Sequence, residues 1–289
     1  MIKKFLVTGS SGFIGTNFIS FLDKRKISYA SLDIKRNKYF LAQNFSKIDL
    51  TDQKKVNFFF KNNSFKYVVH FVAFPGIIDC DLNPEKAIQD NLISTMNILK
   101  NQKKFKKIIL ISSYATLDKA SFSFYAACKK IIEEFSNTII AENKIITIRL
   151  PNIYGEYSEH KKSVVHQICK SIVHQKSFLL HGDGKQKRNY VYVGDLCKII
   201  LKICISKSKK KIVNIGNKKN YSIITIMKKF NKIIGKKFLF KKINHPLNNK
   251  FTKTKKIVNT PDYLIQDQDF IKNLKKTLSW YKNYASKKS

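Results

Sequence analysis

A short apolar run, Ile2 to Val7, leads straight into Thr8-Gly9-Ser10-Ser11-Gly12-Phe13-Ile14-Gly15, which continues into apolar residues at helical spacing, Phe13, Ile14, Phe18, Ile19 and Leu22. The chain holds ten glycines in 289 residues, and three fall in this one stretch. A strand passing through closely spaced glycines into a helix opens a βαβ unit, which commits the chain to parallel strands covered by helices. The first half keeps that rhythm. Strands are expected at Ser28 to Asp33, Phe45 to Asp49, Tyr67 to Val72, Ile108 to Ser112 and Ile145 to Leu150. Helices are expected over about Thr51 to Asn62, from Asn83-Pro84 to about Lys100, and over Phe122 to Ile140. Asparagine caps and proline fits the first turn, so Asn83-Pro84 reads as a helix start. The alternation predicts an α/β fold, a doubly wound parallel sheet with helices on both faces. The expected organisation is a dinucleotide-binding domain over 1–155, to which a segment at about 186–215 returns, and a smaller C-terminal lobe over 156–289.

The glycine loop also carries chemistry. In such a unit Gly9 permits the tight turn, Gly12 lets the backbone approach a phosphate, and Gly15 allows close packing of helix on strand. Ser11, Phe13 and Ile14 then line a pyrophosphate at the helix N-terminus. Asp33 ends the second strand, where a carboxylate accepts both ribose hydroxyls and repels a 2′-phosphate, so the expected cofactor is NAD. Lys35 and Arg36 follow closely and leave a rival reading as 2′-phosphate ligands. Asp49, ending the third strand, is expected at the adenine, the other reading being a solvated loop acid.

Composition bounds the rest. Lys and Arg total 56 against 19 acids, a formal net charge of +37. Nucleic acid is nevertheless not the expected partner, because lysine is spread over nearly every segment and only Arg25, Arg36, Arg149 and Arg188 are arginine. Nucleic-acid modules cluster their charge and favour the forked guanidinium. No apolar run reaches the roughly eighteen residues of a membrane span, and the N-terminal apolar stretch is too short for a secretory signal. Cys80, Cys128, Cys169, Cys197 and Cys204 are odd in number and lack a CxxC pair, so neither disulfides nor a metal site is expected, and the cytoplasm fits best.

Tyr125 and Lys129 stand four apart in the expected helix after the strand that ends near Ser113, hence on one helix face. The spacing recurs at Tyr157/Lys161 and Tyr284/Lys288, but only the first pair lies in the alternating region. Bringing a phenol from about 10 to about 7 takes about 4 kcal/mol, which a lysine ammonium and a cationic nicotinamide ring can supply. Tyr125 is therefore the expected base, Lys129 its electrostatic partner and Ser113 a hydrogen-bond donor to the reacting oxygen.

Together these features resemble the extended short-chain dehydrogenase/reductase family, in its NAD-dependent sugar epimerase/dehydratase branch. The spacing GxxGxxG matches that branch, and the resemblance spans roughly residues 2 to 220. His70-Phe-Val-Ala73 with Asn83-Pro84 and Asn91-Leu-Ile-Ser-Thr95 is similar to the family's stretch along the cofactor, which implies Ala73, Asn91 and Lys129 as cofactor contacts. Arg149-Leu-Pro-Asn152-Ile-Tyr-Gly155 resembles the entry to the substrate lobe, and His181 to Asp195 resembles the segment whose arginine grips the sugar-nucleotide diphosphate. Asn152 and Arg188 are thereby implied as substrate contacts. Arg149, at a strand end, reads as a structural ion-pair partner, His70 as a packed strand-end histidine and Trp280 as a core anchor.

The chain departs from the family after Ser113. Tyr114 and Ala115 stand where dehydratases of the branch carry an acidic pair, and only 12 residues separate Ser113 from Tyr125, fewer than is usual there. The resemblance therefore implies a nucleotide-sugar 4-epimerase that works through a transient 4-keto sugar, rather than an elimination enzyme. The alternatives are a 4-keto-sugar reductase and a non-catalytic member binding RNA or another polyanion. A homodimer is expected, paired through helices at about 84–100 and 122–140. The apolar residues Phe122, Phe124, Ile131, Ile132, Phe135, Ile139 and Ile140 exceed what one sheet-facing stripe needs.

Overall fold

The computed structural model describes residues 3–117, 123–138, 144–243, 261–265 and 269–287. The chain divides into two compact units, Met1–Leu150 with Cys197–Asn214, and Pro151–Leu196 with Ile215–Ser289. The first opens with β1 (Lys3–Thr8), α1 (Phe13–Asp23), β2 (Tyr29–Asp33), β3 (Phe45–Lys47), α2 (Gln53–Lys61) and β4 (Phe65–His70). Next come α3 (Ile77–Leu82), α4 (Pro84–Ala87), a π-helical turn at Ile88–Ile93 and α5 (Ser94–Leu99). β5 (Phe105–Ser113), a 3₁₀ turn at Tyr114–Leu117, α6 (Phe124–Thr138) and β6 (Ile145–Leu150) complete the run.

The second unit contains β7 (Asn152–Tyr154), α7 (Val164–Val173), β8 (Phe178–His181) and β9 (Lys187–Tyr192). It is followed by α8 (Val193–Ile205) and β10 (Ile212–Asn217), which run through both units, and by β11 (Asn220–Ser222), α9 (Ile223–Ile234), β12 (Phe240–Ile243), β13 (Tyr263–Ile265) and α10 (Phe270–Ser286).

In the first unit the strands lie in the order β3-β2-β1-β4-β5-β6-β10 and every pairing is parallel. This is the doubly wound order expected. Phe5, Leu6, Val7, Val68, Val69, Ile108, Ile109 and Leu110 are all fully buried, which is why these strands read as unbroken apolar runs rather than alternating ones. The order reverses between β1 and β4, and ligands of open parallel sheets bind at the carboxyl ends of the strands flanking that reversal.

The turn from β1 into α1 is made by contacts only glycine allows. Gly9 has φ +66°, and a Cβ on it would lie 2.7 Å from the Phe71 carbonyl carbon and the Val72 nitrogen. A Cβ on Gly15 would overlap the Gly9 carbonyl. Gly12 differs: its φ is −74° and a Cβ would meet only the Gly9 oxygen, at 3.3 Å.

The helical stretch after β4 departs from the expected single helix. Asn83 does not cap with its side chain, because its Nδ2 donates back to the Asp79 carbonyl at the end of α3. Further on, the Ser94 and Thr95 hydroxyls donate to the Asp90 and Asn91 carbonyls, both at 2.6 Å, where the π turn passes into α5. Strand β3 ends at Lys47, short of Asp49, and α2 starts later than expected because Asp52 caps it by accepting the Lys55 N–H at 3.1 Å. Of the helix expected over Phe122 to Ile140, Phe122, Ile139 and Ile140 lie outside the described residues.

The second unit has its own core, which includes Tyr154, Ile168, Phe230, Leu274, Leu278 and Tyr281. Its sheets are small, β11-β9-β7 and β12-β8, with β13 pairing Ile215–Asn217 of β10. Ser222 caps α9 on the Thr225 N–H, and Gly235 ends it at φ +73°. Trp280 sits at the rim of this core rather than inside it, stacked on Tyr284 and edge-on to Tyr157.

Candidate active site

The glycine loop and Asp33 form one hydrogen-bonded piece. Asp33 Oδ2 accepts the Ser11 N–H at 2.9 Å, Oδ1 accepts the Lys35 N–H at 3.3 Å, and the Ser11 hydroxyl donates to the Lys35 carbonyl at 2.7 Å. Burial raises the Asp33 pKa against the pull of these backbone donors. Of the rival cations, Lys35 bonds Asp33 through its backbone N–H and its ammonium also favours the Asp33 charge, while the Arg36 guanidinium lies over the Phe45 ring, 5.2 Å from its centroid. At its N-terminus α1 has neither a side-chain cap nor an acid in its first turn.

Asp49 lies past the end of β3, exposed. Its Oδ1 accepts both the backbone N–H (2.9 Å) and the hydroxyl (2.8 Å) of Thr51. This is the turn chemistry of an acid preceding a helix.

Beneath the loop runs a buried polar chain. Thr95 donates to the Asn91 carbonyl, so at His70 it accepts the Nε2 proton (3.1 Å), and Nδ1 on the other side takes the Thr8 hydroxyl proton (2.7 Å). Burial and the nearby Lys129 ammonium hold the His70 pKa down at about 3, so the ring is neutral and structural. Asn91 is fully buried. Its Nδ2 donates to the Phe74 carbonyl, next to Ala73, at 3.3 Å, while its Oδ1 has no hydrogen-bond partner among the described residues.

Ser113, Tyr125 and Lys129 come together where β5 ends and α6 begins. The Tyr125 phenol is hydrogen-bonded to the Ser113 side chain, and Lys129 Nζ lies 5.9 Å from the centre of the phenol ring. Lys129 is 3% exposed, and its Nζ donates to the Ile111 carbonyl at 3.0 Å. In the free protein the tyrosine shift runs upward. Burial pushes the phenol up to about 12, Ser113 pulls the other way and the Cys80 thiol adds to the rise. Desolvation is the largest of these effects. The same burial brings Lys129 down to about 8. Cys80 and Cys128, which the sequence left without a role, pack here with Phe74 and Phe124 against Tyr125.

Of the other Tyr-Lys spacings, Tyr157/Lys161 is not helical: Tyr157 lies outside any helix at φ +57° and packs on Trp280. Lys288 lies outside the described residues.

One buried group was missed from the sequence. Glu133, a turn beyond Lys129 on α6, is fully buried and accepts from Ser112 Oγ (2.7 Å), Thr116 Oγ1 (2.8 Å), Arg149 Nε (2.7 Å) and Arg149 Nη2 (2.6 Å). The signal was available: Arg149 ends an apolar strand, and a buried guanidinium needs a buried acid.

In the second unit Asn152 donates to the Asn189 carbonyl at 3.1 Å. Arg188 lies on β9 opposite Tyr221 of β11, and its Nη1 donates to the Lys187 carbonyl at 3.3 Å.

Residues 5–216 match the family described as NAD dependent epimerase/dehydratase. The chain belongs to this family. Among curated members, the UDP-glucuronate 4-epimerase of Thermodesulfobacterium geofontis is 28% identical over 96% of each chain. A putative UDP-glucose 4-epimerase of Methanocaldococcus jannaschii is 29% identical over 75% of this chain and 78% of its own. The solved UDP-glucose 4-epimerase of Thermus thermophilus, in complex with NAD, shares the fold with a TM-score of 0.82 at 21% identity, over 96% of this chain and 98% of that one. Among the described residues no helix is long and apolar enough to cross a membrane.

The shift at Lys129 carries a sign that can be measured. Between about 8 and the ordinary 10.5 the unfolded chain holds a proton that the folded protein has lost, so this group makes stability rise with pH through that window. Lys129→Met should therefore stabilise the free protein at pH 7 by about 3 kcal/mol, with the advantage shrinking toward pH 10.5. Denaturant midpoints of variant and parent at several pH values check this, and a destabilised variant at pH 7 would refute it.

Proposed function

We propose that the protein is an NAD-dependent 4-epimerase of a nucleotide-linked sugar, the uridine diphosphate being carried over from its relatives. The observation that carries this reading is the Ser113–Tyr125–Lys129 cluster at the carboxyl end of β5. Three features support NAD as the cofactor. Gly12 is the loop glycine whose own surroundings least require it, which suits a position approached by a phosphate. Asn91 Oδ1 is a buried acceptor without a partner among the described residues. Lys129 Nζ has three donors and, among the described residues, hydrogen-bonds to one acceptor. Asp33 beside the loop favours NAD over NADP.

Bound NAD supplies the hydride acceptor and, when oxidised, a positive ring charge. The protein's residues do the rest. Tyr125 takes the proton of the C4 hydroxyl, and Ser113 donates a hydrogen bond to the same oxygen as it becomes a carbonyl. Lys129 faces the phenol and favours its ionised form. Asn152 and Arg188 are the proposed sugar-nucleotide contacts, the guanidinium for its forked fit to phosphate. Tyr114 and Ala115 provide no acid to move a proton and expel water, which supports epimerisation over elimination.

The reading includes a homodimer. On α6, Ile132 is buried in the sheet-side core and Phe135 packs against it. Ile131 remains exposed, as do Ile78, Leu82, Ile88 and Ile93 on the preceding helical stretch, and these five support pairing with a second copy. A monomer in sedimentation velocity at micromolar concentration would remove the dimer. All five cysteines are buried and none is in a disulfide, in keeping with a reducing cytoplasm.

A panel of UDP-, GDP-, CDP- and dTDP-sugars incubated with NAD should reveal interconversion at C4 of at least one UDP-sugar. Tyr125→Phe should lower that turnover by about two to four orders of magnitude and leave NAD affinity nearly unchanged. Undiminished turnover in Tyr125→Phe would remove the tyrosine from the mechanism.

A further inference from the structure

We infer that Glu133 is a positioning residue, a buried carboxylate that sets Ser113 against Tyr125 by gripping the chain on both sides of the serine. The inference rests on reading Ser113 and Tyr125 as the reacting pair. Ser112 and Thr116, whose hydroxyls bond the same carboxylate oxygen, bracket Ser113 in sequence. The Thr116 hydroxyl also lies 2.9 Å from the Ser113 carbonyl, and Ser113 Oγ accepts the Ala115 N–H at 3.2 Å. The serine is thus held by a turn that is itself held by Glu133.

The carboxylate sits on the helix that carries the base. Tyr125, Lys129 and Glu133 are spaced by four on α6 and so share one face of the helix. Arg149 closes the arrangement from β6, where it stands opposite Ser112 of β5 in register. One side chain thereby joins the helix bearing the base, the strand end bearing the hydroxyl and the next strand.

Stability alone gives no reason for charges here. Taking two ions out of water costs several kcal/mol each before their attraction returns it, and well-packed apolar residues often hold such a place as well or better. What an apolar pair lacks is directed bonds to the hydroxyls either side of Ser113. Burial opposes the Glu133 charge, yet the bonds from Arg149, Ser112 and Thr116 keep the carboxyl below its ordinary range, so it remains an acceptor for all of them.

Two variants test this. Glu133→Leu with Arg149→Met removes both charges together, and Thr116→Val removes one bond while leaving the ion pair. The double variant should unfold near the parental Tm, with kcat down by about ten- to a hundredfold and KM within about twofold. Thr116→Val should show a smaller kcat loss in the same direction. Amide hydrogen exchange, read in the free protein without substrate, should quicken in residues 112–117 of both. Parental kcat in either folded variant overturns the inference, even where exchange quickens, because Glu133 is then only structural. If the double variant does not fold, Thr116→Val decides alone. Tyr125→Phe assayed in parallel separates the two claims: turnover surviving there refutes the reading of the reacting pair, whereas slow exchange at 112–117 in the variants refutes the grip of Glu133.

Discussion

Where β1 passes into α1, Gly15 lies so close to the carbonyl of Gly9 that no side chain fits between them, and Gly9 presses on the backbone that leaves β4. That contact brings a helix N-terminus, the end of the central strand and the start of the following loop to one place. The sheet reverses its order between the same two strands. Asp33 then holds the loop from the side through the Ser11 N–H. The backbone donors proposed to meet an anion and the acid proposed to read a ribose are therefore tied together by a hydrogen bond.

The second governing feature is charge kept out of water. Lys129 is buried beside a neutral histidine and without a salt bridge among the described residues, which lowers its pKa and weakens the fold near neutral pH. Glu133 is buried too and Arg149 is partly so, but as a pair with bonds to spare for Ser112 and Thr116. The contrast separates the roles. The compensated pair suits holding elements in place, and the uncompensated cation suits meeting a ligand. Natural proteins keep such locally unfavourable groups chiefly where function needs them.

Much of the first unit was legible because its physics is local. Unbroken apolar runs in β1, β4 and β5 announced central parallel strands, and the glycine loop announced the turn between β1 and α1. Ser113, Tyr125 and Lys129 were legible from spacing once the strand and helix around them were placed. Other features depend on contacts that spacing does not encode. Asn83 looks like a cap, but its amide turns back to Asp79. The π turn at Ile88–Ile93 arises beside hydroxyls that bond their own helix, and it presents Asn91. Glu133 sits in an ordinary-looking Glu-Glu pair, and only the packing of β5, β6 and α6 shows that one member is buried and its neighbour exposed. The rise of the Tyr125 pKa was hidden for a similar reason, since a sequence shows the lysine nearby but not the packing of Cys80 and Cys128 against the phenol.

In the proposed 4-epimerisation a sugar carbon is oxidised and reduced within one site, with the same hydride returned. A UDP-sugar substrate carrying deuterium at C4 tests it directly, followed by mass spectrometry and NMR of both epimers and by absorbance at the wavelength of reduced nicotinamide. Deuterium should stay on C4 of both epimers, and no reduced cofactor should accumulate. Loss of the label to solvent, or one reduced cofactor formed for each sugar consumed, would contradict it.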